Sequence, residues 1–368
     1  MRRLTVRRRP ARGDDGAIAA TVALLLGVGV LLGVAAVVVD VGRLYAEREQ
    51  LQSGADAAAW AIGEGCATTP AGCADQASTA GRYADGNAAD AAATVTAICG
   101  TGPGLPPCPA AAENRTGCLG VVPQTVPYAE VRVETRLPDG TTVLPPVFAR
   151  TLSGGYDGTS VGACARVAWG PPKVAEGFGV TFSLCEWQEL TGNGTTFWPS
   201  PAVGVPPAAA ERVIRLKGPA GVSTCPAGPS GWDRPGGFGW LDDPSASCAV
   251  TVEADGTFGG NTGNSVSKPC KDAMEGALEA HSVVLIPVYD TVRSQGARTT
   301  YHLTGFASFV LTGYAQSGFS APSWLSGRRL CGGSERCLYG YFVRGLVRTT
   351  GAEIGGPDLG AAIVNLVG

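Results

Sequence analysis

Several groups of residues have types and spacings that could do chemistry. Gly158-Thr159-Ser160-Val161-Gly162 satisfies G-x-S-x-G, and Asp290 and His302 follow in the order a serine hydrolase requires. That motif works when a strand precedes the serine and a helix follows it, which holds the hydroxyl exposed on a tight turn. Here a glycine-rich loop precedes Ser160, and Val161, Ala163, Ala165 and Val167 then alternate as in a strand. Ser160 is therefore expected in a loop ahead of a strand. Asp243-Pro244-Ser245-Ala246-Ser247 offers one carboxylate and two hydroxyls, a set able to hold Mg²⁺ on a loop after a buried parallel strand. Residues 236–241 are too rich in glycine for that strand, and a turn before Cys248 is expected instead. Glu186 and Glu189 flank Trp187, as the acid and base of a sugar-cleaving site would, but neighbouring acids are common by chance. The chain has only two histidines, His281 and His302, and no C-x-x-C, so its cysteines do not read as a metal cluster. No phosphate-binding loop and no H-E-x-x-H is present. The expectation is a non-enzyme with no metal and no cofactor.

The 12 cysteines have a different meaning. All of them lie C-terminal to one long apolar stretch, and an even count on the outer side of a membrane argues for disulfides. Cys66/Cys73 and Cys331/Cys337 are spaced as local clips, and Cys248/Cys270 is a third candidate pair. Spacing alone leaves the rest of the connectivity open.

The apolar stretch is residues 18–39, IAATVALLLGVGVLLGVAAVVV, 22 residues without a charge. As a helix it would be roughly 33 Å long, enough for a hydrocarbon core of about 30 Å. Arg2, Arg3, Arg7, Arg8, Arg9 and Arg12 precede it, and mixed charges follow it, so the short tail is expected in the cytoplasm and the bulk outside. A cleaved signal peptide would have a shorter apolar run and a better site than Val34-Ala35-Ala36-Val37, so an uncleaved single-pass anchor in the cell membrane is expected. Gly29, Gly33 and Ala36 line up as a small-residue face suited to close helix packing in lipid. Six of the 28 basic residues lie in the tail, and Asp14 and Asp15 are the only acids before the span out of 31. The external part thus carries a net charge near −7, which disfavours nucleic acid as a partner.

The helix is expected to continue outward. No proline occurs until Pro70, and Val37, Val41, Leu44, Leu51, Ala55, Ala58 and Ile62 recur in a heptad-like seam interrupted at Arg48. The seam must face either the chain's own C-terminal part or a partner helix. An uncharged span running into Val39-Asp40-Val41-Gly42-Arg43-Leu44-Tyr45, then Gln50-Leu51-Gln52, then Ala55-Asp56-Ala57-Ala58-Ala59 resembles the N-terminal signature of the TadE/TadG-like proteins of the Flp (tight-adherence) pilus-assembly system. The resemblance covers residues 14–64. Relatives processed as pilins have a Glu five residues after the cut; here Gly16 is followed at that position by Thr21, which favours the permanently anchored TadG-like type. Gly236-Gly237-Phe238-Gly239-Trp240-Leu241-Asp242 and the phrase from Tyr301 to Ala307 resemble segments of actinobacterial members of that group.

The remaining organisation follows from pattern. Residues 1–15 read as a basic tail, 16–65 as span and stalk, 66–125 as a Cys/Gly/Pro-rich connector, 126–170 as a small pilin-like β unit, and 171–368 as an antiparallel β domain with long disulfide-tied loops. The fold class expected is α+β, a helical anchor and stalk under a disulfide-rich, mainly antiparallel β head. Within the head, strands are expected at 142–144, 180–187, 282–289, 301–306 and 309–314. Trp187, Trp198, Trp232, Trp240 and Trp324 serve either as core under loops or as a binding surface for glycan or protein. The resemblance implies a structural accessory of Flp pilus assembly that contacts the lipid bilayer, pilins and other pilus-assembly membrane proteins. The alternatives are an anchored adhesin or module that binds cell-wall glycan, and an anchored hydrolase.

Overall fold

The computed structural model describes residues 15–368 other than 28–29, 69–72, 74–75, 111–117, 119, 153–155, 218–224, 226–237, 262–265, 296–297, 334 and 349–350. The basic tail, Gly29 and Trp232 lie outside the described residues. Helix α1 covers Asp15–Gly27 and α2 covers Val30–Thr68. Among the described residues no helix is long and apolar enough to cross a membrane. The span expected over residues 18–39 includes residues 28–29, which lie outside the described residues. Its apolar residues are shared between α1 and the first turns of α2, and α2 becomes charged from Asp40 onward.

Alanine-rich sequence without proline carries α2 through 39 residues, about 58 Å at the rise of a helix. Its first part is largely exposed, with Val34, Val37, Val38 and Val39 all open to solvent, and its last third has one buried face. There α3 (Ala77–Asn87) packs against it. Gly54 permits the contact, since a Cβ at that position would stand 3.1 Å from the Ala84 Cα. The Cys66–Cys73 disulfide ties the turn between the two helices.

The helices lie on a sheet of β1 (Ala93–Gly100), β2 (Tyr128–Thr135) and β3 (Gly162–Gly170), paired antiparallel in that order. Strand alternation decides the faces: Ala129, Val131 and Val133 of β2 and Ala163, Ala165 and Val167 of β3 form one apolar cluster with Leu51, Ala55, Ala58 and Ile62 of α2. Short helix α4 (Ala149–Leu152) sits in the loop between β2 and β3. The return strand expected at 142–144 is reduced to one bridge, Leu144 with Thr159.

Beyond β3 the chain forms β4 (Pro172–Phe178), β5 (Val180–Ser183) and α5 (Leu184–Thr191). The single strand expected over 180–187 thus stops at Ser183: the backbone there is extended, and a helix then runs to a left-handed Gly192, the conformation glycine tolerates best. Then come β6 (Arg212–Lys217), β7 (Phe238–Leu241), β8 (Ala249–Glu253), β9 (Thr257–Asn261) and α6 (Lys268–Glu279). Two long strands follow, β10 (Val283–Gln295) and β11 (Arg298–Gln316), so the two strands expected at 301–306 and 309–314 are one. The series ends with β12 (Phe319–Ala321), β13 (Arg336–Val343), β14 (Gly345–Leu346), β15 (Glu353–Ile354) and β16 (Ala361–Leu366).

Strands β10, β5, β7, β9 and β11 hydrogen-bond in succession, and β11 pairs back onto β10, which closes a ring and leaves none of the five as a free edge. Phe182, Trp240, Phe309 and Phe342 fill the adjoining core, with Phe182 and Phe309 edge to face at 5.1 Å. β13 and β6 extend this sheet beyond β11. A three-stranded sheet, β15-β4-β8, packs over Leu285, Tyr301 and Phe306. The chain then returns: β16 pairs antiparallel with β3 and parallel with β14, which completes the first sheet as β1-β2-β3-β16-β14. The fold is α+β with mainly antiparallel sheets and six disulfides.

Candidate functional site

Residues of the α2 signature make a set of long-range hydrogen bonds. Asp40 reaches across to the loop before α4: Oδ1 accepts from the Val147 N–H at 2.7 Å, and Oδ2 accepts from Phe148 at 3.0 Å and Ala149 at 2.7 Å. Ala149 opens α4, and Val147 and Phe148 lead into it, so the carboxylate gathers three successive backbone donors at the entry to a helix. Desolvation pushes the Asp40 carboxyl up, but the N–H groups of Ala149, Val147 and Phe148, with Arg43, outweigh it and hold its pKa below the ordinary carboxylate value. Arg43 donates to the Pro145 carbonyl at 3.3 Å, so both ends of the VDVGR segment grip one loop.

Two turns further on, Gln50 Oε1 accepts from Ala89 N–H at 2.8 Å, beyond the end of α3. Gln52 Nε2 donates to Asp56 Oδ1 at 2.8 Å and to the Cys164 carbonyl on β3 at 3.0 Å. Leu51, Ala55, Ala58, Ala59 and Ile62 are at most 2% exposed. Gly63 lies so close to the sheet that a Cβ would meet both γ-carbons of Val167 at 2.9 Å. Partly buried Glu47 has its carboxyl pushed up, chiefly by desolvation, while the Thr135 hydroxyl opposes the shift.

The expected seam therefore has two halves. Leu51, Ala55, Ala58 and Ile62 face the chain's own sheet, whereas Val41 is exposed and Leu44 partly so. Val41 and Leu44 instead line a groove of about 120 Å³ with Val37, Pro145, Pro146 and Tyr156. Of the small-residue face, Gly33 is partly buried and Ala36 is 9% exposed. Sequence spacing found the apolar seam. It did not find the polar grips of Asp40, Arg43, Gln50 and Gln52, because their partners lie from 39 to 112 residues away.

The catalytic candidates fall elsewhere. Ser160 Oγ donates to the Thr142 carbonyl, and the strand β3 follows it. His302 sits on β11, with Nδ1 at 2.8 Å from Asp290 Oδ1 and Nε2 at 3.5 Å from Asp255. Asp243 closes a turn on itself, accepting from the Ser245 and Cys248 N–H groups while the Ser245 and Ser247 hydroxyls bond each other at 2.8 Å. Its carboxyl is held below the ordinary value, the Ser245 hydroxyl being the largest cause. Glu186 is buried and Glu189 exposed on α5. Trp187 and Trp240 are buried, and Trp198 and Trp324 are partly so, the latter stacked on His281 at 3.9 Å. Cys66–Cys73, Cys248–Cys270 and Cys331–Cys337 are bonded. Cys99–Cys108, Cys118–Cys164 and Cys185–Cys225 complete the set. Each cluster of potential metal ligands among the described residues consists of one such disulfide and a glutamate.

Comparison with known families gives a match between residues 16–63 and the Flp pilus-assembly TadE/G-like family model. No curated protein matches the chain, and no solved structure does. The matched stretch takes in α1 and α2 as far as the residue that touches Val167, and it contains every polar grip described above. Over residues 16–63 this chain is similar to the TadE/G-like Flp pilus-assembly family.

Proposed function

We propose that the chain is a membrane-anchored, extracytoplasmic structural component of a Flp-type pilus system, of the permanently anchored TadG-like kind, and that it works by contact rather than catalysis. The observation that carries this reading is the use made of the matched helix. Its second half is built into the head through Asp40, Gln50, Gln52 and the Leu51–Ile62 seam, and its first half is apolar and exposed. A helix so fixed transmits position and force between a bilayer and a head. Residues 18–39 are the anchor in this reading, entering lipid with the arginine-rich end in the cytoplasm. Gly33 gives a neighbouring membrane helix a close approach, and pilins or other pilus-assembly membrane proteins are the partners.

The test is genetic and biochemical together. Deleting the chain from its host should abolish surface Flp fibres, and the wild-type chain should restore them. A chain with charged residues placed through 18–39 should be released from the membrane and fail to restore fibres. Normal fibres in the deletion strain would overturn the reading.

A further inference from the structure

The loop gripped by Asp40 has an exposed face of its own. Val143, Val147, Phe148 and Tyr156 are between 40% and 48% exposed, and Val41 and Tyr45 on α2 are 43% and 67% exposed. Val41 and Tyr156 line one groove with Pro145 and Pro146, Val143, Val147 and Phe148 belong to the same loop, and Tyr45 follows Val41 by one helical turn. The Asp40 hydrogen bonds fix the level of that loop, because they hold the backbone of 147–149 within 3.0 Å of a residue that directly follows the apolar run. On α2, Val41 and Tyr45 stand about 3 and 9 Å beyond Val39. The headgroup zone of a bilayer is roughly 5–8 Å deep per side, and interfacial segments bury about 5–10 Å. The charges at this level are engaged, not absent: the Asp40 carboxylate accepts three N–H groups, Arg43 donates to the Pro145 carbonyl, and the exposed Arg150 and Asp157 stand 3.5 Å apart.

We infer that residues 143–148 and Tyr156, with Val41 and Tyr45, form a foot that rests in the headgroup layer of the outer leaflet. This rests on the reading that residues 18–39 enter the membrane. The partner is a phospholipid surface, chosen because the face lies next to the apolar anchor and contains tyrosine, a residue suited to the boundary between lipid and water, with Phe148 and valines as its apolar part. The foot would fix the tilt of α2, so the head stands at a set angle above the bilayer instead of pivoting on a single helix.

The experiment uses the full chain, reconstituted in phosphatidylcholine/phosphatidylglycerol vesicles that contain a phospholipid with a photoactivatable group near the glycerol end of an acyl chain. Lipid adducts are mapped by peptide mass spectrometry. The expected result is adducts both within 18–39 and within 143–156, with a severalfold loss at 143–156 alone in the Val147→Asp variant. Adducts in 18–39 but none in 143–156 of the wild type would overturn the foot and leave the anchor standing. No adducts in 18–39 would overturn both. Cross-links from 143–156 to a second copy of the chain, in place of lipid, would overturn the foot in favour of a self-interface.

Discussion

Replacing Ile62 by alanine tests the docking of α2 directly. Ile62 is fully buried between α2 and the first sheet, among Val131, Ala165 and Val167. The change removes three carbons, worth about 0.8 kcal/mol each in transfer, or about 2.4 kcal/mol together. A cavity under a rigid helix collapses only in part, which brings the expected loss to about 3–4 kcal/mol. Native-state hydrogen exchange on the oxidised, detergent-solubilised chain measures it as the opening free energy of the amides around residue 62. The same loss should lower the melting temperature of this unit by about 10 °C. Val41→Ala, at a 43% exposed position of the same helix, should stay within about 0.5 kcal/mol. An Ile62→Ala loss below about 1 kcal/mol would refute the argument, because no tightly packed core site gives so little.

Three other outcomes follow from the same contacts. Gly63→Ala should destabilise by about 1–3 kcal/mol through overpacking against Val167 and Val364, whereas Gly42→Ala, with no atom within 4 Å of the new Cβ, should stabilise by up to about 1 kcal/mol; thermal melts of the two variants should move in opposite directions. The Asp40 pKa is lowered in the folded state, so its contribution is complete above the unfolded value of about 3.9 and fades as pH falls through the folded value; amide shifts of Val147 and Ala149 should titrate in that acid range and lose the dependence in Asp40→Asn. Removing Cys248–Cys270 by a double alanine change should cost about 3 kcal/mol in denaturant unfolding, against about 2 kcal/mol for Cys331–Cys337, because the loops closed have separations of 22 and 6 residues.

The sequence was most legible where contacts are local. The length of α2 beyond the apolar run and the buried half of its seam follow from helix formers and spacing alone. What the seam would face was open, because β2 and β3 lie some 70–110 residues later and nothing in Leu51 or Ile62 names them. The connector hid β1, whose ATVTAICG is flanked by glycine, proline and cysteine that read as loop. β16 was hidden for another reason: AAIVNL is a plausible strand anywhere, and only the folded chain pairs it with β3. Helix α6 did leave a signal, with Ser267 capping its start, Pro269 in its first turn, and Met274 and Ala277 buried, but the surrounding strands masked the helical period. The Asp40 grip was legible only as a residue type in a family signature. Its chemistry appeared once the loop 107–109 residues away was brought to it.

The central claim is that a membrane-inserted helix, locked into its own head, serves pilus assembly. The most direct test is cross-linking in native membranes followed by affinity purification of the chain and identification of the cross-linked sites by mass spectrometry. The account predicts cross-links from residues around Gly33 to small helix-anchored pilins or other pilus-assembly membrane proteins, together with internal links between α2 and the first sheet. Recovery of the chain alone, or with cell-wall glycan and no membrane partner, would contradict it.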